Sequence, residues 1–229
     1  MDTTPILATI NTAATAIGAL YCLVLATIIA LRGMKGLFER IVFAICLVFA
    51  LRSVLIWLGT TFSWVGYYHI PASLSIIGAT LLAILPFILF SRKLQLFPSI
   101  LILIGIATTL LMVTPDMIYG QTYFAATGFP VLTFGPFINV YRIVLSTLLI
   151  VPLIVYLIHN RHRHTHDMRT VANTLFVGQS IYSAFVIAST VVLPIFSITS
   201  LTYYNTLVGI AIIASCFTVV ITHPHAYRS

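Results

Sequence analysis

The sequence predicts an all-α membrane protein, a single domain over residues 1–229 built as a bundle of seven transmembrane helices. Three observations lead there. Of the 229 residues, 60% are hydrophobic and 7% charged, against the roughly 25% charged residues of a soluble domain. The apolar residues gather into runs long enough to cross a bilayer, and the basic residues stand in alternate connections between those runs. The mean hydropathy of +1.12 agrees. With 11 Lys and Arg and 4 Asp and Glu, the chain cannot clothe a soluble core in a polar shell. A transmembrane barrel would alternate apolar and polar residues over segments of about ten. Leu101-Ile102-Leu103-Ile104 and Ile150-Val151 instead lie in continuous apolar runs.

At about 20 apolar residues per span, the predicted helices cover 6–31, 41–59, 70–90, 99–113, 137–158, 171–195 and 201–222, the fourth being the shortest. Met1-Asp2-Thr3-Thr4 lacks the basic start of a signal peptide, so the first run is expected to remain as a helix. Arg32, Lys35, Glu39 and Arg40 follow the first span, Arg92 and Lys93 the third, Arg161, Arg163 and Arg169 the fifth, and Arg228 the last. The four remaining segments carry no Lys or Arg. The positive-inside rule then puts the N-terminus outside and the C-terminus in the cytoplasm of a multi-pass cell-membrane protein. Trp57, Trp64, Tyr67, Tyr68, Tyr119, Tyr123, Tyr203 and Tyr204 cluster near the expected outer interface, where amphipathic rings sit well. The long outer segment 115–136, rich in aromatic, Gly and Pro residues, is expected to fold as a cap with a short hairpin. It reads either as a ligand lid or as aromatics resting on lipid. Pro86 and Pro152 are expected to kink their helices.

Two arginines break the loop pattern. Arg52 lies within the second span, where a guanidinium costs about 2.5–3.5 kcal/mol at the helix centre, so it either snorkels to the outer headgroups or anchors an outward pocket. Arg142 enters the fifth span beside Asn139, three residues away and so on the same helical face. Arg52, Asn139 and Arg142 are expected to form a basic, hydrogen-bonding site in the outer third of the bundle, with Asp116 and Tyr119 as further ligand-binding candidates. A structural Asp116–Arg142 ion pair is the alternative. Asn11, Asn173, Gln179, Ser183 and Asn205 within spans read as interhelical hydrogen bonds worth about 0.6 kcal/mol each.

Other chemistry is not expected. Cys22, Cys46 and Cys216 fall in apolar segments and read as small packing residues. His159, His162, His164, His166, His223 and His225 gather on the cytoplasmic side among arginines. Metal binding and pH sensing compete there with anchoring to anionic lipid, and the surrounding positive charge favours anchoring. No paired carboxylates, no nucleophile with its base and no phosphate loop are present, so neither enzyme activity nor a cofactor is expected. The +7 charge reads as a topology signal, with no nucleic-acid partner. Retinal binding would need a lysine in the last helix, and the lysines are Lys35 and Lys93.

Tyr119-Gly120, Phe134-Gly135-Pro136-Phe137, the basic stretch Arg161 to Arg169, and Gly178-Gln179, with the helix order and loop lengths, resemble the N-terminal seven-transmembrane sensor region of bacterial histidine kinases. The resemblance implies a bundle that receives an extracellular or membrane signal and passes it to a kinase. The sequence in hand shows no kinase after the last span, so the expectation is output through a separate cytoplasmic signalling protein, or loss of the family role. The expected role is therefore a sensor or receptor-like module in the lipid bilayer that binds a small anionic or amphipathic, lipid-like ligand from outside. A small solute transporter and a structural or assembly subunit of a membrane complex are the alternatives.

Overall fold

The computed structural model describes residues 4–62, 69–91, 96–124, 130–159, 166–196 and 205–223. Within them run α1 (Thr4–Leu31), α2 (Leu37–Thr61), α3 (His69–Ser91), α4 (Leu96–Val113), the strands β1 (Tyr119–Phe124) and β2 (Pro130–Phe134), α5 (Ile138–His159), α6 (His166–Ile195) and α7 (Asn205–Thr222). Helices α2 to α6 are each long and apolar enough to cross a membrane, and the apolar stretches Thr15–Leu31 of α1 and Val208–Thr222 of α7 are shorter. This is the build of an all-helical membrane protein with one small two-stranded sheet.

The helices outrun the apolar spans. A span ends at the first charge, but a helix does not when that charge caps it. Glu39 is buried, and its Oε2 accepts the backbone N–H of Lys35 at 2.7 Å and of Gly36 at 2.9 Å, so α2 begins at Leu37 rather than at residue 41. Asp167 sits in the first turn of α6, where a carboxylate suits the positive helix end, and the helix begins at His166 rather than 171. Both α3 and α5 continue as helix through Pro86 and Pro152.

Short connections make consecutive helices antiparallel, and α1, α2, α3, α5, α6 and α7 pack in a closed ring, with α2 also touching α7 across it. α3 is the central member, with 67% of its apolar window buried, whereas α4 lies outside against α3 with 28%. Ile45 and Cys46 of α2, Leu82 and Leu85 of α3, Leu148 and Leu149 of α5, Leu175 of α6 and Cys216 of α7 are fully buried. All three cysteines are free and buried, as expected of packing residues. α4 approaches α3 closely at Gly105, where a Cβ would run into the side chain of Thr80.

The segment between α4 and α5 does fold as a hairpin. β1 and β2 pair antiparallel, with Tyr119 opposite Phe134 and an irregularity before Thr122. Its base is clasped by Gly135 N–H to Ile118 O and Phe137 N–H to Met117 O, each 2.9 Å. Asp116 takes the left-handed conformation at φ 61°. Gly135 allows the close crossing, because a Cβ there would strike the backbone of Asp116 and Met117. Ile118 and Tyr119 are buried against the end of the bundle.

α6 holds the one departure from α-helix in the described bundle. Residues Ala188–Val192 form a π-helix, closed by Leu193 N–H to Ala188 O. Pro194 follows directly and has no N–H to continue the ordinary ladder.

Candidate functional site

The hairpin end of the bundle gathers four of the five predicted site residues. α5 presents two adjacent stripes. Tyr141, Leu145, Leu148, Leu149 and Pro152 face the core, while Arg142, Ser146 and Ile150 follow a neighbouring face at helical spacing. Arg142 Nη1 donates to Asn139 Oδ1 at 3.3 Å, and its guanidinium carbon lies 5.3 Å from the centroid of Phe134 in β2, a cation–π distance. Tyr119 stacks obliquely on that Phe134 at 6.0 Å and edge-on to Tyr141 at 5.8 Å. Tyr119 is 3% exposed, so it props up the site from below rather than lying in a membrane-interface belt.

The Asp116–Arg142 ion pair is not formed. His166 and Asp167, by contrast, do pair, 3.9 Å apart and exposed. The left-handed turn at Asp116 keeps it at the hairpin base beside Gly120 and Gly135. Arg52 is not part of the Arg142 cluster either. It shares the buried face of α2 with Ile45, Phe49 and Ile56, is 8% exposed, and donates from Nε to Ser75 Oγ on α3 at 2.7 Å. That hydroxyl itself donates to Pro71 O at 3.0 Å. The two arginines therefore occupy separate places, Arg52 in the ring and Arg142 beside the hairpin.

What surrounds Arg142 is a groove. A space of about 370 Å³ runs along α5 between Arg142 and Val151, lined also by Ile143, Ser146, Thr147 and Ile150, and walled on the far side by Val191 of the π segment. Arg142 Nε is shielded from solvent and has no hydrogen-bond partner. A guanidinium offers five N–H donors in a fork that fits carboxylate or phosphate, so the mouth of this groove is equipped to hold an anion. A second groove of about 320 Å³ between α3 and α4 is lined by Ile77, Leu81, Ile84, Ile102 and Ile106 with Thr80 and Thr109. Both threonines give their hydroxyl protons to their own helices, and no charged residue reaches it.

The remaining polar residues divide. Ser183 bonds across helices, to Leu149 O at 3.1 Å. Gln179 was expected to do likewise, but it is fully buried with neither Oε1 nor Nε2 hydrogen-bonded. Asn173 is exposed. The side chains of Asn11, Tyr123 and Asn205 lie outside the described residues. So do Trp64, Tyr67, Tyr68, Arg92, Lys93, Arg161, His162, Arg163, His164, Tyr203, Tyr204, His225 and Arg228. Among the described residues no group of three His, Cys, Asp or Glu is placed to hold a metal. His159 stacks on Phe90 at 4.7 Å instead.

Sequence reading missed Ser146, Thr147 and Val191. The polar steps Arg142, Ser146 and Thr147 in an otherwise apolar run were a visible signal. Val191 carried none, because its place depends on the π-helix. No family model matches the chain and no curated protein matches it.

Proposed function

We propose that this chain is a seven-span receptor-like module of the cell membrane, N-terminus outside and C-terminus cytoplasmic, that binds a small anionic or lipid-like ligand at Arg142. It would signal through a separate cytoplasmic partner contacting its basic end. The observation that carries the reading is Arg142 itself, a cation at the mouth of a groove with a shielded Nε that no protein group satisfies. Beyond the one bond from Nη1 to Asn139, its remaining Nη protons can meet an anionic ligand, and hydrogen bonds to charged groups are worth about 1.5–3 kcal/mol. Support for the topology comes from the ring of antiparallel helices and from Arg32, Lys35, Arg40 and Arg169, all at the end opposite the hairpin. Transport is the weaker reading, because transporter sites favour helices broken near the midplane. α2, α3 and α5 are continuous, and the π segment of α6 lies near its end.

The test is thermal unfolding of the purified protein against small anions and anionic amphiphiles, alongside Arg142→Ala and Arg52→Ala. A ligand that binds only the folded state raises the midpoint. The expected result is a shift lost in Arg142→Ala and kept in Arg52→Ala. No shift with any of them, or a shift indifferent to Arg142, overturns the reading.

A further inference from the structure

We infer that the groove between α5 and the π segment of α6 is a site for an anionic lipid of the surrounding leaflet, with its headgroup phosphate on Arg142 and one acyl chain along Ile143, Ile150, Val151 and Val191. The inference rests on Arg142 as a ligand-binding residue and narrows the ligand to one chemical class.

Depth, charge and wall chemistry agree on that class. Arg142 stands about one turn inside α5, where an arginine head reaches headgroup level. At 1.5 Å per residue, the groove from Arg142 to Val151 extends about 14 Å along the helix. Half of a hydrocarbon core of about 30 Å is about 15 Å. The groove thus runs from the charged surface of one leaflet to about its inner limit.

Arg142 has one side-chain bond, to Asn139, and no carboxylate partner, so most of its donor fork is open to a phosphate. Below it, Thr147 gives its proton to Ile143 O at 2.9 Å, leaving its methyl and the Ile and Val side chains as wall. Ser146, one turn beyond Arg142 on the same side of α5, also lines the groove. A soluble anion would use the mouth alone, and a neutral chain the walls alone. A lipid with a negative headgroup uses both. The α3–α4 groove, apolar and without a cation, has nothing with which to prefer such a lipid.

The experiment is native mass spectrometry of the full chain released from micelles. It is titrated with phosphatidylglycerol, with phosphatidylcholine of the same acyl chains, and with glycerol 3-phosphate as a headgroup without chains. Both lipids carry the phosphate, but the choline cation of phosphatidylcholine cancels its charge and is repelled beside Arg142, so phosphatidylglycerol is expected to bind about tenfold or more tightly. Arg142→Gln should erase that preference. Ser146→Trp, which fills the groove and keeps the arginine, should weaken phosphatidylglycerol to the level of phosphatidylcholine.

Equal binding of the two lipids by the unaltered protein, or indifference to Ser146→Trp, overturns the lipid site. If glycerol 3-phosphate binds as tightly as phosphatidylglycerol and needs Arg142, the lipid inference fails while the receptor reading survives. If no anion depends on Arg142, both fail.

Discussion

Ser75→Ala tests one contact that holds the buried cation of α2. Arg52 is 8% exposed and its Nε donates to Ser75 Oγ over 2.7 Å. Because that hydroxyl spends its own proton on Pro71 O, it serves Arg52 purely as an acceptor. Removing it leaves a charged N–H without that acceptor where water is scarce. Hydrogen bonds to charged groups are worth about 1.5–3 kcal/mol, so Ser75→Ala is expected to destabilise the fold by about 2 kcal/mol. Arg52→Met removes donor and charge together at similar length. It is expected to cost less than Ser75→Ala, since the desolvation of a buried cation disappears with it. In the Arg52→Met background Ser75→Ala should cost less than about 0.5 kcal/mol, the signature of a direct pair. The assay is equilibrium unfolding in mixed micelles with a denaturing detergent, followed by circular dichroism. A neutral Ser75→Ala, or an Arg52→Met much worse than it, would refute this reasoning.

Three further substitutions test the packing. Gln179→Leu is expected to stabilise the bundle by about 1 kcal/mol or more, because it removes two buried atoms that lack hydrogen bonds. A loss of stability in the same unfolding assay would show that Gln179 is satisfied by something else. Gly105→Val should force α4 from Thr80 at about 1–3 kcal/mol, and Thr80→Ala should recover part of that; absence of coupling between the two would contradict the close approach. Gly135→Ala places a Cβ against the backbone of Asp116 and Met117. It is expected to open the hairpin base, seen as faster exchange of the amides at position 135 and at Phe137 with the helices unchanged.

Hydrophobicity made the helices legible because a span must be apolar along its whole length, and every predicted span falls on a helix of the described structure or overlaps one. Helix ends were less so. Glu39 and Asp167 read as loop charges, yet each belongs to a first helical turn, because capping and the helix dipole reward polar residues that hydropathy excludes. The hairpin showed itself through Gly, Pro and aromatic punctuation in 115–136. Its consequence did not, since with a left-handed residue at Asp116 that carboxylate makes no ion pair with Arg142. Asn139 and Arg142 were legible as a pair from their spacing of three. Placing Arg52 with them assumed that two arginines of similar depth share a cavity, whereas the order of helices around the ring decides it, and α2 meets α3 and α7 rather than α5.

The proposal that Arg142 forms an outward-facing site is tested most directly by thiol labelling in intact cells. The native cysteines Cys22, Cys46 and Cys216 are buried and give little background. Asn139→Cys puts a thiol on an exposed position bonded to Arg142, and Arg169→Cys puts one on an exposed position at the opposite end. A membrane-impermeant maleimide is expected to modify Asn139→Cys in intact cells, more slowly when an anionic amphiphile is present, and to modify Arg169→Cys only after permeabilisation. Labelling of Arg169→Cys in intact cells, with Asn139→Cys protected until the membrane is opened, would contradict it.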